Sequence, residues 1–264
     1  MKFALLMLFG LAAAATAFAD SDAAKAVPFR VGEKLTYQIF WGPFVAGRAT
    51  LEVVGIEQID SNACYHLVAE AKTTGLADML YHVETKNESW FDVDELLTRQ
   101  YREKRTEGKH VRAGETRFDY TTGQAATTNY LTGKVKSIPI DAAVQDMISS
   151  LYFVRTTPLV LNVNERFTIS VGDTNYTVNV RPDLRKTMYF RPTGDVPALR
   201  IEPNPTLNVV AANKGRMWFW VSDDARRLPL LVSSDMKIGS AKLVLFRIEG
   251  PGAPPRALAS TLDP

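Results

Sequence analysis

The stretch "GEKLTYQIFWGPFVAGRATLEV", Gly32 to Val53, sets the grammar of the whole chain. Leu35, Tyr37 and Ile39 alternate with Lys34, Thr36 and Gln38, and Ala49, Leu51 and Val53 alternate with Thr50 and Glu52. Side chains along a strand point to opposite faces in turn, so both runs read as half-buried strands with one apolar face. Between them Gly42-Pro43 can turn the chain, and Gly47 permits a bend or a close backbone approach. WGPFVAG therefore reads as a wide hairpin connection.

The same period recurs at Tyr65, Leu67, Ala69 and Ala71, at Tyr176, Val178 and Val180, at Met217, Phe219 and Val221, and at Val244, Phe246 and Ile248. Turn signals punctuate it: Glu107-Gly108-Lys109, Thr122-Gly123, Thr132-Gly133-Lys134, Gly172-Asp173, Thr193-Gly194-Asp195 and Ser222-Asp223-Asp224. Many strands at short, regular spacing predict an all-β, mainly antiparallel fold. A sheet of that size must curl, as a large curved sheet or an open or spiral β-barrel. One segment departs from the rule. In "PIDAAVQDMISSLYFVRTTP", Asp141 can cap a helix over 141–155 whose stripe runs Val144, Met147, Ile148, Leu151 and Tyr152, with Pro158 at the exit. Such an amphipathic helix is expected to pack on the concave side of the sheet. A shorter helical turn is expected over Leu76 to Leu80.

Residues 1–19 carry Lys2, an apolar run from Phe3 through Ala15, and Ala17-Phe18-Ala19, the pattern of a cleavable export signal. Cleavage after Ala19 and a periplasmic location are expected. Residues 20–28 read as a flexible lead-in, 29–249 as a single β-rich domain, and 250–264, rich in proline, as a flexible tail. No later segment has the length and apolarity of an integral span. The sole cysteine, Cys64, cannot form an intramolecular disulfide, so the apolar core must hold the fold. With Lys+Arg 31 against Asp+Glu 29, the chain has no global attraction for nucleic acid or anionic lipid.

Four segments together resemble an exported bacterial family, domain-of-unknown-function family 3108. They are "FRVGEKLTYQIFWGPFVAGRATLEV" from Phe29, "TGLADMLYHVETKNESWFD" from Thr74, "VQDMISSLYFVR" from Val144 and "MWFWVSDDARRLPLLVSSDMKIGSAKLVLF" from Met217. The resemblance implies a periplasmic antiparallel β protein, similar in form to lipoprotein-localisation carriers and envelope-integrity proteins. It implies no catalytic residues.

The residues themselves offer little chemistry. The histidines, His66, His82 and His110, stand at no metal-ligand spacing, and His66 and His82 read as strand residues. No nucleophile elbow, Walker loop or dinucleotide fingerprint occurs. Asp223-Asp224 reads as part of a turn, and "YREKRTEGKHVR", Tyr101 to Arg112, as a solvated hairpin of mixed charge. The chain is therefore read as a non-enzyme with no cofactor and no metal. The richest apolar cluster is Trp218 and Trp220 on one face of a strand, with Met217, Phe219 and Val221 on the other. Joined by Trp41 and Phe44, these rings are the candidate ligand-binding residues: Trp41, Phe44, Trp218 and Trp220.

Three functions follow in order. First is a carrier binding an apolar ligand, a lipid or an extended peptide in the cell envelope. Second is an envelope interaction scaffold with a filled interior and a working rim. A hydrolase ranks last. The expected partner is a lipid or an envelope protein. The discriminating feature between the first two is whether the concavity is open or filled.

Overall fold

The computed structural model describes residues 27–205, 217–235, 240–251 and 253. The expected signal, residues 1–19, lies outside the described residues, as do 20–26 of the lead-in and most of the tail.

The first half of the chain is a meander. β1 (Lys34–Trp41), β2 (Phe44–Ile59) and β3 (Asn62–Thr73) lead into a short helix, α1 (Gly75–Leu80). β4 (Val83–Asp92), β5 (Thr98–Glu107), β6 (His110–Asp119), β7 (Gln124–Asn129) and β8 (Val135–Pro139) follow. Each strand pairs antiparallel with the next. A short strand β9 (Val144–Gln145) and a helix α2 (Ser149–Thr156) come next. β10 (Glu165–Val171), β11 (Thr174–Val180), β12 (Pro182–Phe190), β13 (Gly194–Ile201) and β14 (Asn204–Pro205) precede β15 (Met217–Ser222), β16 (Pro229–Asp235) and β17 (Ser240–Glu249).

β17 returns to pair with β1, which joins both halves into one 13-stranded sheet in the order β12-β13-β15-β16-β17-β1-β2-β3-β4-β5-β6-β7-β8. β12 and β8 end it without pairing to each other, so the sheet is open, as the curved-sheet reading allows. Bulges at Thr36/Tyr37, Ile39/Phe40, Val53/Gly55, Trp90/Phe91 and Trp220/Val221 each add local twist and bend the sheet. A second, 4-stranded sheet, β14-β11-β10-β9, lies against β13 and β15, burying Val178 and Val180 with Leu199, Ile201 and Val221. Its β9–β10 pair is parallel.

The opening stretch folds more tightly than expected. β1 and β2 run on through Trp41 and Phe44, which pair with each other, so only Gly42-Pro43 turns the chain. Gly42 supplies the positive φ (56°) that a two-residue hairpin with glycine first requires, and proline fixes the negative φ after it. Gly47 makes the anticipated close approach: a Cβ there would stand 2.3 Å from the carbonyl oxygen of Lys72.

The helix expected over 141–155 is shorter. Val144 and Gln145 are taken instead by the parallel pairing with Thr168 and Ile169, and the helix begins at Ser149. Asp141 does not cap it; its carboxylate accepts from the Thr168 hydroxyl. Asp146 takes over, accepting from the backbone N–H groups of Ile148 (2.6 Å) and Ser149 (2.9 Å). Met147 is 48% exposed and leaves the buried stripe, whereas Ile148 and Tyr152 pack with Val53, Leu67 and Phe91 on one face of β2–β4. Arg155 completes the seal. It makes a bidentate pair with Glu33 (2.6 and 3.0 Å), donates to the carbonyls of Pro28 and Arg226, and lies over Phe29 and Tyr152.

Candidate functional site

The antiparallel meander places the β1–β2 turn, α1 and the β5–β6 turn at one end of the sheet. Two backbone bonds lock them together: Thr74 N–H to the Ala46 carbonyl (3.0 Å) and Gly108 N–H to the His82 carbonyl (2.8 Å). Tyr81 lies against Gly108, where a Cβ would meet its ring at 3.2 Å. At this end Trp41 and Phe44 form the last pair of the β1–β2 ladder, and Phe44 is 74% exposed.

α1 is turned inside out. At 100° per residue, Leu76, Met79 and Leu80 share one face and Asp78 the opposite one. In a helix seated on a sheet the apolar face should point inward. Instead Leu76, Met79 and Leu80 are 79%, 83% and 81% exposed, and the helix buries none of its residues. Asp78 is what holds it down, accepting from the Thr73 hydroxyl (2.6 Å) and bonding His82 Nδ1 (2.8 Å). Those bonds, the Thr73 hydroxyl first, keep the Asp78 carboxyl below its ordinary value. The Thr73 hydroxyl also accepts from Val83 N–H, tying both ends of the loop to the helix.

Directly behind this apolar end lies a groove of about 310 Å³ on the sheet face opposite α2, with four cations, Arg48, Lys72, Lys86 and Lys104, against two carboxylates, Glu70 and Glu84. Cross-strand register creates it: Arg48, Lys72 and Glu84 stand side by side, as do Thr50, Glu70, Lys86 and Lys104. Lys86 pairs with Glu88 at 3.3 Å. Arg48, Lys72 and Lys104 make no ion pair among the described residues.

The expected ligand quartet is divided. Trp41 and Phe44 belong to the exposed end. Trp220 is 9% exposed, in the main core with Leu35, Tyr37, Leu230 and Leu245. Trp218 is half-buried on β15, which β16 and β17 separate from β1. The strand is apolar on both faces because Trp220 serves that core while Phe219 and Val221 meet the smaller sheet.

Two polar clusters lie elsewhere. On the groove face, His66 bonds Glu57 (2.9 Å) and Glu88 (3.2 Å) and stacks on Trp90, whose Nε1 donates to Glu57 at 2.7 Å. The Trp90 bond is the main reason the Glu57 carboxyl sits below its usual range. Both ring nitrogens of His66 are thus engaged. His82 stands outside any strand, between α1 and β4, contrary to its sequence reading. Beneath α2, buried Asp146 accepts from Ser89 (2.5 Å), and Thr98 bonds Ser149 (2.5 Å), a cluster closed to solvent that anchors the helix. Burial raises the Cys64 thiol to about 12, which leaves it a poor nucleophile at neutral pH. Among the described residues no group of three or more His, Cys, Asp or Glu side chains is arranged to hold a metal ion. Asp223 pairs with Arg185, and Asp224 caps the turn at Arg226 and Arg227, as the turn reading expected.

Sequence reasoning passed over the inverted helix and the cationic groove. Leu76, Met79 and Leu80 were visible at helical spacing, but nothing in a single sequence says which way a helix faces. The cations were legible as outward-pointing, and only strand register gathers them.

The structure thus defines an open, coiled antiparallel β protein with a short helix sealed on one face and an apolar, basic end. The chain belongs to the family described as "Protein of unknown function (DUF3108)", whose profile matches residues 36–245. Among solved structures it is similar to a β-barrel-like protein of domain of unknown function DUF1849 from Brucella abortus. The two share 9% identity and a TM-score of 0.55, over 83% of this chain and 97% of that one. That likeness is one of fold alone. A Bacteroides fragilis protein with a YmcC-like fold is more distant, with 12% identity and a TM-score of 0.33 over 86% of this chain and 100% of that one. No curated protein matches the sequence. Among the described residues no helix is long and apolar enough to cross a membrane.

Proposed function

We propose that this protein is a non-catalytic component of the bacterial cell envelope, exported with loss of residues 1–19, that works by contact through the exposed end of its sheet. The observation that carries this reading is α1, with Asp78 bound inward and Leu76, Met79 and Leu80 outward. Exposed leucine and methionine in that number cost solubility, and a partner that covers them removes the cost. Trp220, one of the expected ligand-binding rings, is packed in the core, which favours this reading over that of a carrier.

A photo-reactive amino acid placed at Leu80 or Phe44 in cells tests it. Adducts are expected from both positions and not from Val54, which is also exposed but lies far along β2. Equal labelling at all three, or none at the first two, would return the carrier reading to first place.

A further inference from the structure

We infer that the partner of this end is an anionic phospholipid surface, into which α1 and the Trp41–Phe44 turn insert while Arg48, Lys72 and Lys104 meet the headgroup phosphates. The inference rests on the contact reading above and names the occupant.

Shape comes first. Phe44 tips a hairpin and Leu76, Met79 and Leu80 project from a helix, so the apolar surface is a point and not a groove. A fluid lipid interface accepts such a point without a complementary hollow. Trp41 and Tyr81, each 49% exposed, flank it with the amphipathic rings that favour the zone between headgroups and acyl chains.

Depth agrees. Arg48 is four residues behind Phe44 on β2, about 13 Å along a strand at roughly 3.3 Å per residue. Interfacial elements bury their apolar side by about 5–10 Å. With Phe44 deepest, Arg48 and its neighbour Lys72 come to rest at headgroup level.

Charge selects the lipid. The groove carries four cations against two carboxylates, and Lys109 adds a further exposed cation at the β5–β6 turn. Near an anionic leaflet such residues are attracted; in a face-to-face dimer they would oppose their own copies. Gly42, Thr74, Tyr81 and Gly108 donate their N–H groups within the protein, so these four positions bring no unpaired donor into a region poor in water.

The test is flotation of the full mature chain with vesicles of phosphatidylcholine alone or mixed with phosphatidylglycerol. Binding is expected to the mixed vesicles, weakening as salt rises. Leu76→Ser/Met79→Ser/Leu80→Ser should abolish it. Lys72→Glu/Lys104→Glu should weaken it about tenfold or more while leaving phosphatidylcholine unaffected. Ile56→Ser, on an exposed site away from the end, should change nothing, and circular dichroism confirms that each variant folds. No flotation, equal flotation with both vesicle types, or full binding by the triple variant overturns the inference. If flotation fails while Leu80 cross-links to a protein in cells, the contact reading stands and only the lipid falls. If neither occurs, both fall.

Discussion

α1 sits between two strands of the meander and α2 between two strands of the smaller sheet, and they use their side chains in opposite ways. α2 buries even its charge: Arg155 is 3% exposed and Tyr152 1%, fixed through Glu33 and Asp146. α1 exposes even its leucines and is fixed by a single carboxylate at the rim. The contrast shows that hydrophobicity alone does not decide which helix becomes core. What differs is the polar anchoring: Ile148 and Tyr152 bury the apolar face of α2 with Asp146 and Arg155 satisfied beside them, whereas Asp78 is bound on the inward side of α1 and its apolar face lies outside.

Breaking the α2 anchor should have the largest effect. Arg155→Ala leaves Glu33 buried without its partner and should cost about 3–5 kcal/mol in a denaturant titration. A loss below about 0.5 kcal/mol would place Arg155 with ordinary surface residues and erase the contrast. Next comes Gly47→Ala, which tests the frame beneath the exposed end. Its Cβ would press on the Lys72 carbonyl, and a forced shift of β3 should cost about 1–3 kcal/mol and lower the melting temperature.

Asp146 sharpens the comparison through pH. Burial, outweighing the bonds from Ser89 and the backbone N–H groups, holds its carboxyl above the ordinary value. A proton held more tightly in the folded state stabilises the fold at low pH. That stability is lost as pH rises from the unfolded value of about 4 through the folded one. Asp146→Asn keeps an acceptor without the titration, so its denaturation midpoint should gain on the wild type as pH climbs through this window. A gap independent of pH would show that Asp146 does not titrate there. The smallest effect belongs to α1. Leu76→Ser, Met79→Ser and Leu80→Ser should each change stability by no more than about 0.5 kcal/mol, and a larger loss would mean the helix supports the sheet after all.

Much of the sheet was legible because its strands obey period two: Leu35, Tyr37, Leu67 and Val178 all fall where alternation puts them, inside. The helix expected over 141–155 starts later, at Ser149, because a cap residue and apolar spacing do not fix the first turn. Asp141 and Asp146 are both plausible caps in sequence, and the choice went to Asp146 once Val144 and Gln145 paired with β10, a contact with no local signature. The candidate site was legible only in part. Trp41 and Phe44 stood out as rings beside a turn. Trp220 carried the same signal and went to the core, because aromatic character marks burial and binding alike.

The pairing of β1 with β17 sets the order in which this protein can be completed. Leu35 meets Ile248 across that ladder, a partner translated almost a whole domain later. The meander from β1 to β8 joins sequence neighbours and can form step by step. Its β1 side, however, stays an open edge with unpaired N–H and C=O groups until the last strand arrives. Through that interval the unfinished sheet presents a sticky template at β1. Pairing with β17 therefore closes the edge in the middle of the final sheet and leaves only β12 and β8 at its ends.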